Sequence, residues 1–187
     1  LGNRWGSTTQ KLVPPRKTEG TGKPRLLIVS YSNIESDARL RKQIDLFTSE
    51  YDVTVVGHGD PFDVDAELLL FPPADTKRTE QLRAGLLHAR QYALSQKLEA
   101  NNVAARRLLK GRKFDAVIAN DIEPVGMVID LFGADKVHAD LHEYYPGLQD
   151  EDPAWVKLRQ PYYRWMLANN ASKAASVTTV SEGIAQR

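Results

Sequence analysis

The chain has 187 residues, 42% apolar and 26% charged, with 25 Lys and Arg against 24 Asp and Glu and no cysteine. This suits one globular domain with a substantial core, and it excludes a disulfide scaffold, a thiolate metal site, a cysteine nucleophile, a disordered chain and a strongly electrostatic nucleic-acid binder. No run of about 18 apolar residues exists and the opening residues lack the apolar stretch of a signal peptide, so a cytoplasmic protein is expected.

Residues 1–24 are rich in Gly, Thr, Pro and Lys. They read as a flexible basic leader that cannot offset its own ordering entropy, and residues 25–187 as the folded domain. Leu26-Leu27-Ile28-Val29-Ser30 is a continuous apolar run, the mark of a strand buried on both faces. Leu40, Ile44 and Phe47 then keep helical spacing behind Ser36 and Asp37, which predicts a capped helix over 37–50. Strands follow at 53–56 and, ended by Pro72 and Pro73, at 68–71. Leu82, Leu86, Ala89, Ala93, Leu94, Ala105 and Leu108 predict one long helix or two short ones over 80–109, with Asn101-Asn102 as the interruption. Strands at 114–119, 137–141 and 177–180 alternate with helices near 124–131 and 153–170, and Ser181-Glu182 opens one more helix. The alternation predicts a Rossmann-like, doubly wound α/β fold in three layers. A helix beginning so near Arg187 makes a longer parent polypeptide the expectation.

In such sheets ligands bind beyond the carboxyl ends of the strands. The first loop there, Ser30 to Ser36, has no glycine, and no G-x-G-x-x-G, G-x-x-x-x-G-K-[ST] or G-x-S-x-G motif occurs. His138, Asp140 and His142 share one strand face. A metal site is one reading of that trio; in the other only His142 reaches the cleft, with His138 and Asp140 in the core or facing a helix. His142 can bond a sugar hydroxyl or order its own loop through Glu143. Asn120, Asp121 and Glu123 precede Pro124; the carboxylates suit polyol hydroxyls or a catalytic pair, and Asp121 or Glu123 equally suits the cap of the next helix. Tyr144, Tyr145, Trp155, Tyr162, Tyr163 and Trp165 suit sugar stacking or simple core packing. Arg106, Arg107, Lys110, Arg112 and Lys113 form a basic knot, suited to peripheral contact with an anionic membrane or to a solvated helix end.

Taken in order, several segments resemble the N-terminal half of GT-B glycosyltransferases of the GT4-like group. They are Leu26 to Ser30, Ser36-Asp37-Ala38-Arg39-Leu40-Arg41-Lys42-Gln43, Tyr51 to Gly57, Phe114 to Asp121, Asp140-Leu141-His142-Glu143 and Ala175 to Glu182. The resemblance implies the N-terminal, acceptor-binding half of a retaining transferase, with a second half holding a nucleotide-diphosphate sugar. It implies no metal and no cofactor beyond that donor. His142 matches the family histidine near the transferred sugar. Asp37 and Arg39 match the charged opening of the first helix, Asp121 matches loosely, and Asn120, Glu143 and Tyr144 complete the expected substrate-binding set. The first loop departs from members that carry glycines at Ser32-Asn33-Ile34. A nucleotide-sugar epimerase of similar architecture and a non-catalytic α/β binding module are the alternatives.

Overall fold

The computed structural model describes residues 22–72 and 77–180. Nearly all of the basic leader, and the helix expected from Ser181, lie outside the described residues.

Six parallel strands form one sheet: β1 (Arg25–Asn33), β2 (Asp52–His58), β3 (Glu67–Leu70), β4 (Ala116–Asn120), β5 (Val137–Leu141) and β6 (Ser176–Thr179), in the order β3-β2-β1-β4-β5-β6. Each strand-run expectation holds to within a few residues, and the fold is the expected Rossmann-like α/β type. Period-two alternation sorts the central strand between two cores. Leu26 and Ile28 of β1 join Val53, Val55, Leu40 and Ile44 on one face, while Leu27 and Val29 join Val117, Ala119, Val128 and Met166 on the other.

Helix α1 (Ala38–Phe47) connects β1 to β2 on the first face and buries Leu40 and Ile44. The second face carries α2 (Lys77–His88), α3 (Tyr92–Lys97), α4 (Ala100–Leu108), α5 (Val125–Phe132), α6 (Pro153–Leu158) and α7 (Gln160–Asn169). This division follows from handedness. Parallel crossovers are right-handed, so a chain that steps one way from β1 to β2 and the other way from β4 to β5 must place its helices on opposite faces.

The expected helix over 80–109 is three helices. Arg90 takes a left-handed φ of 54° that ends α2, and Glu99 caps α4 by accepting from the Asn102 amide at 2.8 Å. Asn102 itself is buried. The apolar stripe is offset accordingly: Leu87 and Leu109 are in the core, whereas Leu82 and Leu94 are exposed. The helix expected over 153–170 breaks at Arg159, because Pro161 lacks the amide that would continue the ladder and instead opens α7. Of the aromatic run, Tyr162 is buried and Tyr145, Tyr163 and Trp165 pack against the same core. The basic knot is partly neutralised. Arg106 pairs with Asp130 at 2.7 Å, and Arg112 grips Glu67 of β3 through two contacts at 2.6 and 3.0 Å. Among the described residues no helix is long and apolar enough to cross a membrane.

The Glu67 carboxylate is buried, 6% exposed, and also accepts from Thr54 at 3.1 Å. Removing its cation leaves an uncompensated charge in the core edge. Arg112→Ala is therefore expected to destabilise the fold by about 3 kcal/mol, and Glu67→Leu with Arg112→Met to recover most of that loss, read from urea-denaturation midpoints.

Candidate functional site

The chain reverses direction across the sheet between β1 and β4, so the connections leaving their carboxyl ends diverge and leave a crevice. The first wall is the β1–α1 loop. Gly57 of β2 makes room for it: a Cβ there would lie 2.8 Å from Ile34 Cγ1, and Ile34 is buried with its amide on the His58 carbonyl at 2.9 Å. Ser32 Oγ then donates to Asp37 Oδ2 at 2.7 Å, while Asp37 Oδ1 accepts the amides of Arg39 and Leu40 at 3.0 and 3.3 Å. Partial burial pushes the Asp37 carboxyl up, but Ser32, these amides and Arg39 outweigh it and hold the group below its ordinary value. Asp37 is thus the cap of α1. Arg39, half-exposed, reaches Asp37 at 3.5 Å.

The opposite wall is built from the ends of β4 and β5. Gln43 of α1 reaches across the strand ends, donating to Asn120 Oδ1 at 3.0 Å and Asp140 Oδ2 at 2.9 Å and accepting from Asn120 Nδ2 at 2.9 Å. Asp140 also accepts from Thr178 at 2.7 Å and faces His142 Nε2 at 3.1 Å. Asp121 follows in a left-handed conformation with φ of 66°, a costly geometry for a residue with a Cβ. Its amide is tied to the Asp140 carbonyl at 2.8 Å and its Oδ1 accepts the His142 amide at 3.2 Å. Burial raises the Asp121 carboxyl above its ordinary value, opposed by the His142 amide, the imidazole and Arg39. His142 Nδ1 lies 3.6 Å from Asp121 Oδ1, buried and without a hydrogen bond.

The crevice therefore brings together Asn120, Asp121 and His142, with Asp37 and Arg39 on the facing helix start. Glu143 is exposed beyond it, and Tyr144 turns toward Gly147, where a Cβ would come within 2.9 Å of its ring. The His138, Asp140, His142 trio does not converge as a ligand set: both His138 ring nitrogens bond β6 hydroxyls, on Ser176 at 2.8 Å and Thr178 at 3.1 Å. No cluster of three His, Asp or Glu suited to a metal occurs among the described residues. Asp140 faces α1, as one reading of the strand has it, but through Gln43 it is also the hub of the site.

Neither Glu123 nor Asp121 caps α5: Pro124 holds the cap position, and the Asp121 carboxylate is taken by the His142 amide. The Glu123 carboxylate turns instead into the tyrosines that follow β5, accepting from the Tyr163 hydroxyl at 3.5 Å with Tyr145 beside it. Burial, and next the Asp121 charge, push it up to about 7. Burial and the Glu123 charge in turn raise Tyr145 above the usual phenol range. Beside the crevice the chain thus holds a carboxyl able to take or give a proton near neutrality.

No known family's sequence profile matches the chain, and no curated protein matches it. Among solved structures, a C-terminal deletion mutant of the aldohexose dehydrogenase of Thermoplasma acidophilum is similar at 11% identity and a TM-score of 0.37, covering 88% of this chain and 98% of its own.

The folded chain keeps the Glu123 proton to about pH 7, whereas the unfolded chain releases it near 4.5. The folded state thus binds more protons in that window, so this group's contribution to stability is full below it and falls as pH rises through it. Between about pH 5 and about pH 8 the loss is on the order of 3 kcal/mol, and Glu123→Gln is expected to flatten it in urea denaturation at the two pH values.

Proposed function

We propose that this chain is the acceptor-side half of a retaining glycosyltransferase of GT-B type, presenting a hydroxyl of a glycan, lipid-linked sugar or small polyol to a nucleotide-diphosphate sugar held by a second half. One observation carries the reading: the α1 start, where a nucleotide phosphate would sit in a dinucleotide-binding sheet, is filled by the Asp37 carboxylate. The group left facing the crevice suits neutral hydroxyls: the Asp121 side chain is 22% exposed and accepts hydrogen bonds, and Asn120, buried and paired with Gln43 through both amide atoms, frames it.

In this reading Asp121 meets the acceptor hydroxyl. The His142 amide holds Asp121 Oδ1, and its imidazole stands between the two carboxylates, with Nε2 3.1 Å from Asp140 and Nδ1 3.6 Å from Asp121. The half supplies positioning. Stabilisation of the leaving diphosphate, usually the largest single contribution to such a step, falls to the other half.

Two measurements test this. Nucleotide sugars incubated with the 187-residue chain and a panel of acceptors, analysed by mass spectrometry, are expected to give no transfer, and transfer by this chain alone overturns the division of labour. In the polypeptide that carries both halves, His142→Ala, which keeps the backbone amide on Asp121 but removes the imidazole between Asp140 and Asp121, is expected to slow turnover by about one to two orders of magnitude through loss of ordered carboxylates. Unchanged kinetics there reduce His142 to an architectural residue.

A further inference from the structure

Away from the strand ends, the helix layer holds a second polar space. A cavity of about 220 Å³ opens between α3, α4, α5 and α7, bounded by Gln96, Arg106, Gly126, Asp130, Trp165 and Asn170. It is smaller than the roughly 300–1,000 Å³ of pockets for drug-sized ligands.

Its polar groups are incompletely used. Gln96 and Asn170 are each 8% exposed. Asn170 Nδ2 has no hydrogen-bond partner, and Gln96 Nε2 has only the Met166 sulfur at 3.6 Å. The two nitrogens converge: a Cβ on Gly126 would lie 2.7 Å from each of them. A buried N–H left unpaired is costly, so two donors aimed at one region mark a place for an acceptor from outside the chain. Asn102, on the same wall, is satisfied internally. It accepts from the Tyr31 hydroxyl and donates to the Gln96 carbonyl at 2.9 Å.

The remaining chemistry narrows the ligand. Arg106 and Asp130 cancel one another in a pair at 2.7 Å, and Lys97 stands exposed at the rim, so the interior does not select an ion. A carboxamide offers a donor and an acceptor together, as a hydroxyl does, and Trp165 contributes an apolar indole wall. The geometry points to a binding site for one neutral, polyhydroxylated six-membered ring, its hydroxyls between Gln96 and Asn170 and its C–H groups against Trp165.

The test is proton–nitrogen correlation NMR of this chain titrated with methyl glycosides of glucose, galactose and mannose, and separately with acetate and inorganic phosphate. Saturable shifts of the Gln96 and Asn170 side-chain amides and the Trp165 indole N–H are expected with at least one glycoside, and none that saturate with the anions. Gly126→Ala puts a methyl 2.7 Å from both nitrogens, so the two carboxamides must turn from their positions, and binding is expected to weaken at least about tenfold. Asn170→Ala removes the donor without filling the space and is expected to weaken binding likewise. The inference is overturned by no saturable shift up to about 100 mM glycoside, by tighter binding of either anion, or by both variants folding and binding as the parent does. Glycoside shifts confined to Asn120, Asp121 and His142 also overturn it, while supporting the crevice as the acceptor site.

Discussion

Right-handed crossing between parallel strands is the constraint from which the arrangement of polar groups follows. With β1 central, the chain must leave it toward β2 on one face and later leave β4 toward β5 on the other. No connection then closes over the carboxyl ends of β1 and β4. Below that level both strands are walled by apolar side chains, Leu26 to Val29 and Val117 to Ala119, and only above it do polar residues begin, at Ser30 and Asn120. The crevice is thus where the fold leaves backbone and side-chain polar groups without a hydrophobic cover.

What holds that opening in shape is a carboxylate shared by donors from three elements. Asp140 collects Gln43 from α1, His142 from the loop after β5 and Thr178 from β6, so one group ties three elements together. A carboxylate so surrounded has its oxygens met by donors, and each donor fixes the orientation of the element that carries it. Asp121 rests on this frame. Its left-handed backbone costs on the order of 1 kcal/mol and persists because its amide is bound to the Asp140 carbonyl and its side chain to the His142 amide. The strain keeps a partly exposed carboxylate at the crevice where a relaxed turn would carry it elsewhere.

Much of this was legible in residue order. Doubly buried strands announce themselves as apolar runs, and Asn120, Asp121 and His142 fall at strand ends whose position the runs define. Gln43 was not legible, because a glutamine on an amphipathic helix looks solvated until the sheet places polar strand ends beneath it. Glu123 before Pro124 imitates a helix cap, and only the packing of Tyr145 and Tyr163 shows its carboxylate turned away from the helix. The break between α2 and α3 depends on a left-handed arginine, a conformation that no local propensity favours at Arg90. Arg106 and Arg112 look like parts of one basic surface because their partners, Asp130 and Glu67, are distant in sequence.

The glycine-free first loop has a physical consequence beyond the loss of a motif. In a dinucleotide-binding sheet, glycines at the end of the first strand let backbone approach a pyrophosphate, whose charge lies on the free amides of the following helix. Here the close approach is made from the other side, by Gly57 of β2, and Ile34 fills the space it creates. The amides of Arg39 and Leu40 are already taken by Asp37, whose carboxylate is further held by Ser32. A diphosphate entering at α1 would have to displace an intramolecular anion that sits below its ordinary pKa, and would meet like charge if it did not. The side chains that cap α1 thus use the amides that a phosphate would need, and a hydroxyl needs none of them.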